Sequence, residues 1–439
     1  MKHGTSETQA SGRGRRLPPP PAATRELVQS TQALVLAGGR GTRLRQLTDA
    51  DAKPAVPFGG QFRIIDFTLS NCINSGLRHI AVLTQYKAQS LIRHIMQEWE
   101  FLDSTMGEFV DVVPAQQQVG ESWYSGTADA VFQNLQLLRD TQPRYLLVLA
   151  GDHIYKMDYG RMLAEHVQRD ADVSVASIDV PLDLAPAFGI MEAAGDGRIR
   201  SFQEKPAHPQ PREGGAGVAL ASMGVYLFNA SALYDALDRD AGEAASGHDF
   251  GHDVIPRLLP RARVYAHDFA ASCVNLVEGR PYWRDVGTLD AYWEANMDLV
   301  QPQPELNLYD EVWPIRSQEH HLPPAKFVFD DEGRRGQAID SLVASGCIVS
   351  GATVRRSVLS CRARIEEGSV VEDSLVLPSA VVGRNVVLRH SIVGERCVLP
   401  DGMRIGVDAA ADRARYTVSD KGVTLVTREM LAAAADAGH

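Results

Sequence analysis

Residues 371–405 read VEDSLVLPSA VVGRNVVLRH SIVGERCVLP DGMRI, and in them Leu375, Val381, Val387, Val393, Leu399 and Ile405 stand six apart without a gap. Leu359, Ile365, Val371 and Leu377 make a second row at the same interval. Six is neither the 3.6 of a helix nor the 2 of an ordinary strand. It is the period of a parallel β-helix, in which each flat side takes about six residues and stacked aliphatic side chains fill the axis. A sandwich of short strands is the alternative, but it has no reason to keep two rows in phase over so many hexads. The C-terminal region, 341–439, is therefore expected to be a left-handed parallel β-helix with a tail.

Upstream the pattern changes. Ala33–Ala37, Ile80–Thr84, Tyr145–Ala150, Val173–Ile178 and Met223–Phe228 are apolar runs of strand length. Tyr86–Trp99, Ala128–Arg139 and Leu289–Val300 carry helical amphipathic spacing. The alternation predicts an α/β domain with a mostly parallel sheet over 32–300. Residues 301–340, which begin with a proline-containing stretch, read as a linker and the first strands of the C-terminal domain. Residues 1–31 hold Gly-Arg-Gly-Arg-Arg (12–16) and four consecutive prolines, Pro18 to Pro21. They are expected to form a flexible arm.

Composition narrows the function. The 439 residues carry 44 Lys+Arg against 55 Asp+Glu, a net charge of −11, so general nucleic-acid binding is not expected. No apolar run approaches the ~18 residues of a spanning helix, and no apolar core of a secretory signal follows the N-terminus. The five cysteines are scattered with no C-x-x-C pair, which suits a reducing cytoplasm. Anionic ligands would need a local positive site. Between Arg40 and Arg63 there are five basic residues and only two acids.

That local site follows the first strand. Ala37-Gly38-Gly39-Arg40-Gly41-Thr42-Arg43 places three glycines at the C-terminal end of a strand, where backbone N–H groups can approach phosphate oxygens. No Gly-Lys-Ser/Thr follows, so it is not a P-loop. The third glycine of a dinucleotide fingerprint would fall at Leu44, so it is not that either. Arg43 in the loop and Lys53-Pro54 ten residues on pair a bidentate phosphate donor with a point charge.

Gly39-x-Gly41-x-Arg43 with Lys53-Pro54 resembles the signature of the sugar-nucleotide pyrophosphorylases. The blocks Phe58–Gly76, Ala150–Tyr159 and Pro281–Tyr292 are similar to those of the bacterial glucose-1-phosphate adenylyltransferases, from about residue 32 to the C-terminus. The resemblance implies transfer of the adenylyl group of ATP to glucose 1-phosphate, with release of pyrophosphate, for glycogen synthesis. It also implies Mg²⁺, allosteric control by a small phosphorylated or carboxylate effector, and a homotetramer. Attack of one polyanion on another needs charge neutralisation and alignment but no covalent enzyme intermediate.

Residue by residue, the resemblance makes Arg43, Lys53 and Asp152 catalytic. Asp152 follows a buried strand in Gly151-Asp152-His153, and a carboxylate beside phosphates requires a cation between them. Asp285, in Trp283-Arg284-Asp285-Val286-Gly287, is the second metal carboxylate, although alone it reads equally as a helix cap. Glu204-Lys205-Pro206 matches the sugar-phosphate element, which elsewhere would be a surface turn. Tyr124, Gly189 and Ser222 match the rest of the glucose 1-phosphate pocket. Gly38, Gly39, Gly41 and Thr42 fall to the nucleotide phosphates. Gln116, Gln117, Gly126 and Thr127 fit the adenine edge and ribose, and equally fit solvated loop residues. His248-Asp249 with His252-Asp253 has metal-like spacing, but an Asp253 helix cap accounts for it better. His390 reads as a solvated histidine of the β-helix.

The chain departs from the enteric members, which answer to fructose 1,6-bisphosphate and AMP. Where those carry basic regulatory residues, Ala50, Asp51, Pro57, Glu395 and Ala432 stand here, while Arg63 and Arg428 are retained. Fewer cations weaken a bisphosphate site, so another effector is expected, such as fructose 6-phosphate or pyruvate. The rival reading is a non-catalytic regulatory subunit of the same architecture. Such subunits can drop phosphate and metal residues, and none of Arg43, Lys53, Asp152, Lys205 or Asp285 is missing.

Overall fold

The computed structural model describes residues 22–38, 42–49, 51–85, 87–99, 108–115, 124–212, 214–215, 217–274, 276, 278–317, 321–331 and 334–436, with Ala22, Ala23, Thr42, Arg43, Arg45, Ala435 and Asp436 described by backbone alone. The five apolar runs are strands, and they are buried because both faces of the sheet are covered by helices. Thr31–Ala37 lies at the centre, paired in parallel with His79–Thr84 on one side and Tyr145–Ala150 on the other. Phe109–Pro114 extends this half in parallel.

The other half is mixed: Val264–Asp268 pairs in parallel with Val173–Pro181, but one long strand runs the other way. Val218–Asn229, twelve residues long, runs antiparallel to Tyr145–Ala150, to Val173–Pro181 and to Gly189–Ala193. Apolar runs report burial on both faces but carry no direction, so sequence alone could not separate the two halves. The Ala128–Arg139 run is two helices, Thr127–Phe132 and Leu135–Thr141, broken at Gln133 and Asn134. The expected arm does not hold over 22–31, and the rest of it lies outside the described residues. Ala22–Gln29 is a helix that buries Val28 against the helix Tyr159–Gln168, and Thr31 already begins the first strand. Leu27 and Val28 are the apolar pair that an arm would not need.

The C-terminal domain is the parallel β-helix. Its strands stack at intervals of 16 to 17 residues: Val349 pairs with Ile365, Ile365 with Val382 and Val382 with Leu399. Because a coil is 17 residues here and not three strict hexads, the row read from the sequence slips by one. Val376, Val382 and Leu388 fill the axis together with Val393, Leu399 and Ile405, while Val381 and Val387 stand off it. Leu375 is buried outward, against the first domain. One corner carries a polar ladder. Asp340, Arg356, Asp373 and His390 all adopt left-handed backbone, at φ 46°, 40°, 48° and 47°. A serine follows each, and the N–H groups of Ser357, Ser374 and Ser391 donate to the hydroxyls of Ser341, Ser357 and Ser374.

The two domains share one core. Phe58, Phe62, Phe67, Leu289 and Tyr292 pack with Val358, Leu375, Leu377, Ile392 and Leu425. His390 is not a solvated rung residue: its ring lies 4.2 Å from that of Trp293, whose indole N–H donates to the Asp373 carbonyl at 2.9 Å.

Candidate active site

The site opens at the C-terminal ends of the parallel strands, where α/β sheets bind ligands because the strand order leaves a crevice there. Gly38 follows the first strand, and Asp152 follows the strand Tyr145–Ala150 by two residues. A 3₁₀ turn, Lys53–Ala55, brings in a lysine only 5% exposed. A two-stranded ribbon pairs Trp283–Asp285 with His153–Tyr155 so that Asp285 lies directly opposite His153.

These elements converge on charge. The Lys53 ammonium donates to Asp152 Oδ2 at 3.0 Å and to Asp285 Oδ1 at 2.6 Å. Burial opposes the Lys53 charge, but Asp152 and Asp285 outweigh it and raise its pKa above the ordinary value. Burial likewise opposes ionisation of both carboxylates, yet Lys53, and after it His153, hold Asp152 well below the usual carboxylate range and Asp285 also below it. Asp152, His153 and Asp285 each present a ligand atom within 4.8 Å of the others. Two ionised carboxylate oxygens suit a hard divalent cation, so the residues present fit a metal. His153, which sequence reading passed over, is packed edge-on against Trp283 at 5.0 Å; its only signal was its place beside Asp152.

From this centre a cleft of about 530 Å³ is lined by Gly38, Lys53, Tyr124, Gly126, Thr127, Asp152, Glu204 and Lys205. Lys205 sits in left-handed backbone at φ 46°, and its ammonium pairs with Glu204 at 2.8 Å. A bulky residue held in that region at a cleft is strain of the kind that marks ligand clamps. Gly189 faces Glu204 across an antiparallel pair. A methyl at Gly189 would lie 2.7 Å from the Phe202 ring and 2.8 Å from Glu204 Oε2. Ser222 is buried behind the wall, 3.4 Å from the hydroxyl of Tyr226, and Tyr226 is the residue that reaches the cleft.

Gly126 has a structural reason of its own. A Cβ there would come within 2.3 Å of the His248 carbonyl oxygen, because Ala128 N donates to that oxygen at 2.8 Å. Asp249 caps the following helical turn, accepting from Gly251 N and His252 N, and it also accepts the Thr127 hydroxyl at 2.9 Å. The cap is therefore Asp249 and not Asp253, which accepts from Gly247 N and Asp249 N. Tyr226 and Gln85 line the cleft without a sequence motif to announce them, and Asp249, notable in the sequence only for its spacing to His252-Asp253, lines it too. Gly39, Gly41, Gln116 and Gln117 lie outside the described residues, as do the side chains of Thr42 and Arg43. Asp285 stays just behind the cleft wall, reached through Lys53. Arg63 and Arg428 are elsewhere, together in a second cavity of about 530 Å³ between the domains.

An α/β domain with an acidic pair and a lysine at its strand ends, fused to a β-helix, is the architecture of a nucleotidyltransferase with a hexapeptide-repeat domain. The nucleotidyl transferase family matches residues 32–302, and the GlmU-like C-terminal hexapeptide family matches 323–426. The chain is 58% identical, over 92% of its length and 96% of the relative's, to the glucose-1-phosphate adenylyltransferase of Nitrosospira multiformis. It is 58% identical, over 94% of both chains, to that of Dechloromonas aromatica. The corresponding protein of Shewanella sp. strain MR-4 is 52% identical over 92% of this chain and 96% of its own. The chain belongs to the glucose-1-phosphate adenylyltransferase family.

Proposed function

We propose that this chain transfers the adenylyl group of ATP to glucose 1-phosphate, yielding ADP-glucose and pyrophosphate, and that it supplies ADP-glucose for glycogen synthesis in the cytoplasm. The observation that carries the reading is the convergence of Lys53, Asp152 and Asp285 at one end of a cleft whose far side holds Glu204 and Lys205. The nonbridging oxygen of the sugar phosphate attacks the α-phosphorus in line, and the bond to the pyrophosphate oxygen breaks as the new P–O bond forms. Lys53 supplies buried positive charge next to the carboxylates, and Lys205 supplies a cation for the 1-phosphate. Glu204 accepts from sugar hydroxyls. Arg43, with Gly38, Gly39, Gly41 and Thr42, is proposed for the nucleotide phosphates.

Asp152 and Asp285 would hold Mg²⁺, which supplies charge neutralisation between carboxylates and phosphates when bound. Gly126 and Thr127, which line the cleft, are proposed for the base and ribose, and Gln116 and Gln117 for the adenine edge. Arg63 and Arg428 are proposed as effector-binding residues of a homotetramer, with fructose 6-phosphate or pyruvate preferred over fructose 1,6-bisphosphate. The domain limits proposed are 32–300 for catalysis and 341–439 for the β-helix. Among the described residues no helix is long and apolar enough to cross a membrane.

The test is pyrophosphate release with each nucleoside triphosphate crossed with several sugar 1-phosphates, with and without Mg²⁺. ATP with glucose 1-phosphate and Mg²⁺ should give the highest kcat/KM. Equal or better turnover with UTP or with mannose 1-phosphate would overturn the assignment.

A further inference from the structure

The cavity between the domains is built around arginine. Arg63 and Arg93 reach it from the first domain, and Arg396 and Arg428 from the β-helix and its tail. Such a wall has the chemistry of an anion site. Yet the wall is not all cationic: Glu395, on the β-helix, lies 3.8 Å from the Arg63 guanidinium, with its side chain 29% exposed. Asp51, Glu98 and Glu429 line the same space. Burial pushes the Glu395 carboxyl up, only partly offset by Arg63, so its charge is poorly solvated where it sits.

Arg63 is also fixed to the catalytic domain by more than packing. Its backbone N–H donates to Asp66 Oδ2 at 2.8 Å, and the fully buried Asp66 is itself held by the His94 ring and the Trp99 indole at 2.7 and 3.0 Å. The Arg63 guanidinium donates to the carbonyl oxygen of Ala55. Ala55 closes the 3₁₀ turn that carries Lys53. One side chain therefore touches both the interdomain cavity and the turn that presents the catalytic lysine.

We propose that Glu395 is a tethered carboxylate occupying the anion seat beside Arg63, and that the ligand which takes its place is a small molecule with a single phosphate or carboxylate. The inference rests on the proposed effector role of Arg63 and Arg428. A monoanion exchanges one negative group for another at the arginines once Glu395 swings aside. A bisphosphate needs a second cluster of cations, and on this side it meets Asp51 and Glu395. Arg63, released from Glu395, then changes the hydrogen bond it shares with the Lys53 turn.

Calorimetric titration of the full-length protein, with inorganic phosphate, fructose 6-phosphate, pyruvate and fructose 1,6-bisphosphate in separate arms, tests this. Glu395→Gln removes the resident charge at constant shape, and it should tighten the best monoanion about tenfold while Arg428→Gln weakens the same ligand. Glu395→Asp, a milder change if the glutamine variant folds poorly, should shift affinity in the direction its shorter reach dictates, towards tighter binding. The phosphate arms against the pyruvate arm decide which anion the seat prefers. Unchanged affinity in both Glu395 variants, with weakening in Arg428→Gln, would overturn the tethered anion and leave the effector pocket standing. Unchanged affinity in Arg428→Gln would overturn the pocket itself, and tightest wild-type binding by the bisphosphate would overturn the monoanion preference.

Discussion

Replacing Lys53 with methionine removes a buried cation that holds two carboxylates 3.0 and 2.6 Å from its nitrogen. Breaking a buried ion pair by deleting one partner costs about 3–5 kcal/mol, because the remaining charge stays buried and unpaired. Here Lys53 and Asp285 have side chains 6% and 13% exposed, but Asp152 is 34% exposed and solvent screens its share. The lower figure, about 3 kcal/mol, is therefore appropriate. In a domain of the catalytic domain's size that lowers the thermal midpoint by about 6–12 °C in metal-free buffer. The pH dependence carries the sharper signature. In the wild type both aspartates titrate below their unfolded value, so their stabilisation is present above about pH 4 and lost as pH falls through their folded values. Lys53 titrates above its unfolded value, so its contribution is present below about pH 10 and lost only as pH rises past the folded value. Without Lys53 the two carboxylates repel, and protonating one relieves them. Lys53→Met should thus become more stable from pH 7 to pH 5, where the wild type does not. Tryptophan-fluorescence melting at both pH values, with EDTA, reads this directly. Adding Asp285→Asn to Lys53→Met should recover part of the loss. A single variant as stable as wild type at pH 7, or a double variant less stable than the single, refutes the reasoning.

Asp152→Asn should cut the rate of pyrophosphate release by at least about a hundredfold while leaving the far-ultraviolet dichroism unchanged; near-normal turnover would remove Asp152 from the mechanism. Gly189→Ala should raise KM for glucose 1-phosphate about tenfold with a smaller change in kcat, since its methyl displaces Glu204 and not the reacting phosphates. An unchanged KM in that variant would mean that Glu204 does not touch the sugar.

Much of this site was legible because its chemistry is written in consecutive residues. Lys53-Pro54 and Glu204-Lys205-Pro206 stand out as consecutive residues, and Lys53, Pro54, Glu204 and Lys205 do line one cleft. Asp152 could be placed at a strand end from the apolar run before it. What could not be read is whatever depends on meeting across the fold. Nothing local to Tyr226 or Asp249 says that each reaches the cleft, and nothing near Arg63 says that it touches Ala55 and Glu395 at once. In the β-helix the aliphatic rows showed the architecture but misplaced its phase. Val381 and Val382, like Val387 and Leu388, are adjacent aliphatics, so a six-residue count can follow either one while a 17-residue coil selects the second. Strand direction is silent for a different reason: Val218–Asn229 is as apolar as the parallel strands of the other half, and hydropathy has no sense of polarity along the chain.

The serine corner of the β-helix gives that ambiguity its answer. An axis of valines, leucines and isoleucines is forgiving, since a one-residue slip exchanges one methyl-bearing side chain for another. Ser341, Ser357, Ser374 and Ser391 are not interchangeable with their neighbours. The inner hydroxyls, of Ser357 and Ser374, each accept from the coil that follows and donate to a carbonyl two residues back. The corner therefore works as a ruler laid alongside a smooth rod, and its graduations are one coil apart. An insertion that keeps the graduation lengthens the rod and leaves every face pointing where it did. One that breaks it turns all later faces, including the one that carries Glu395 towards Arg63. The domain's precision is kept at its polar edge, and its bulk is kept in the greasy middle.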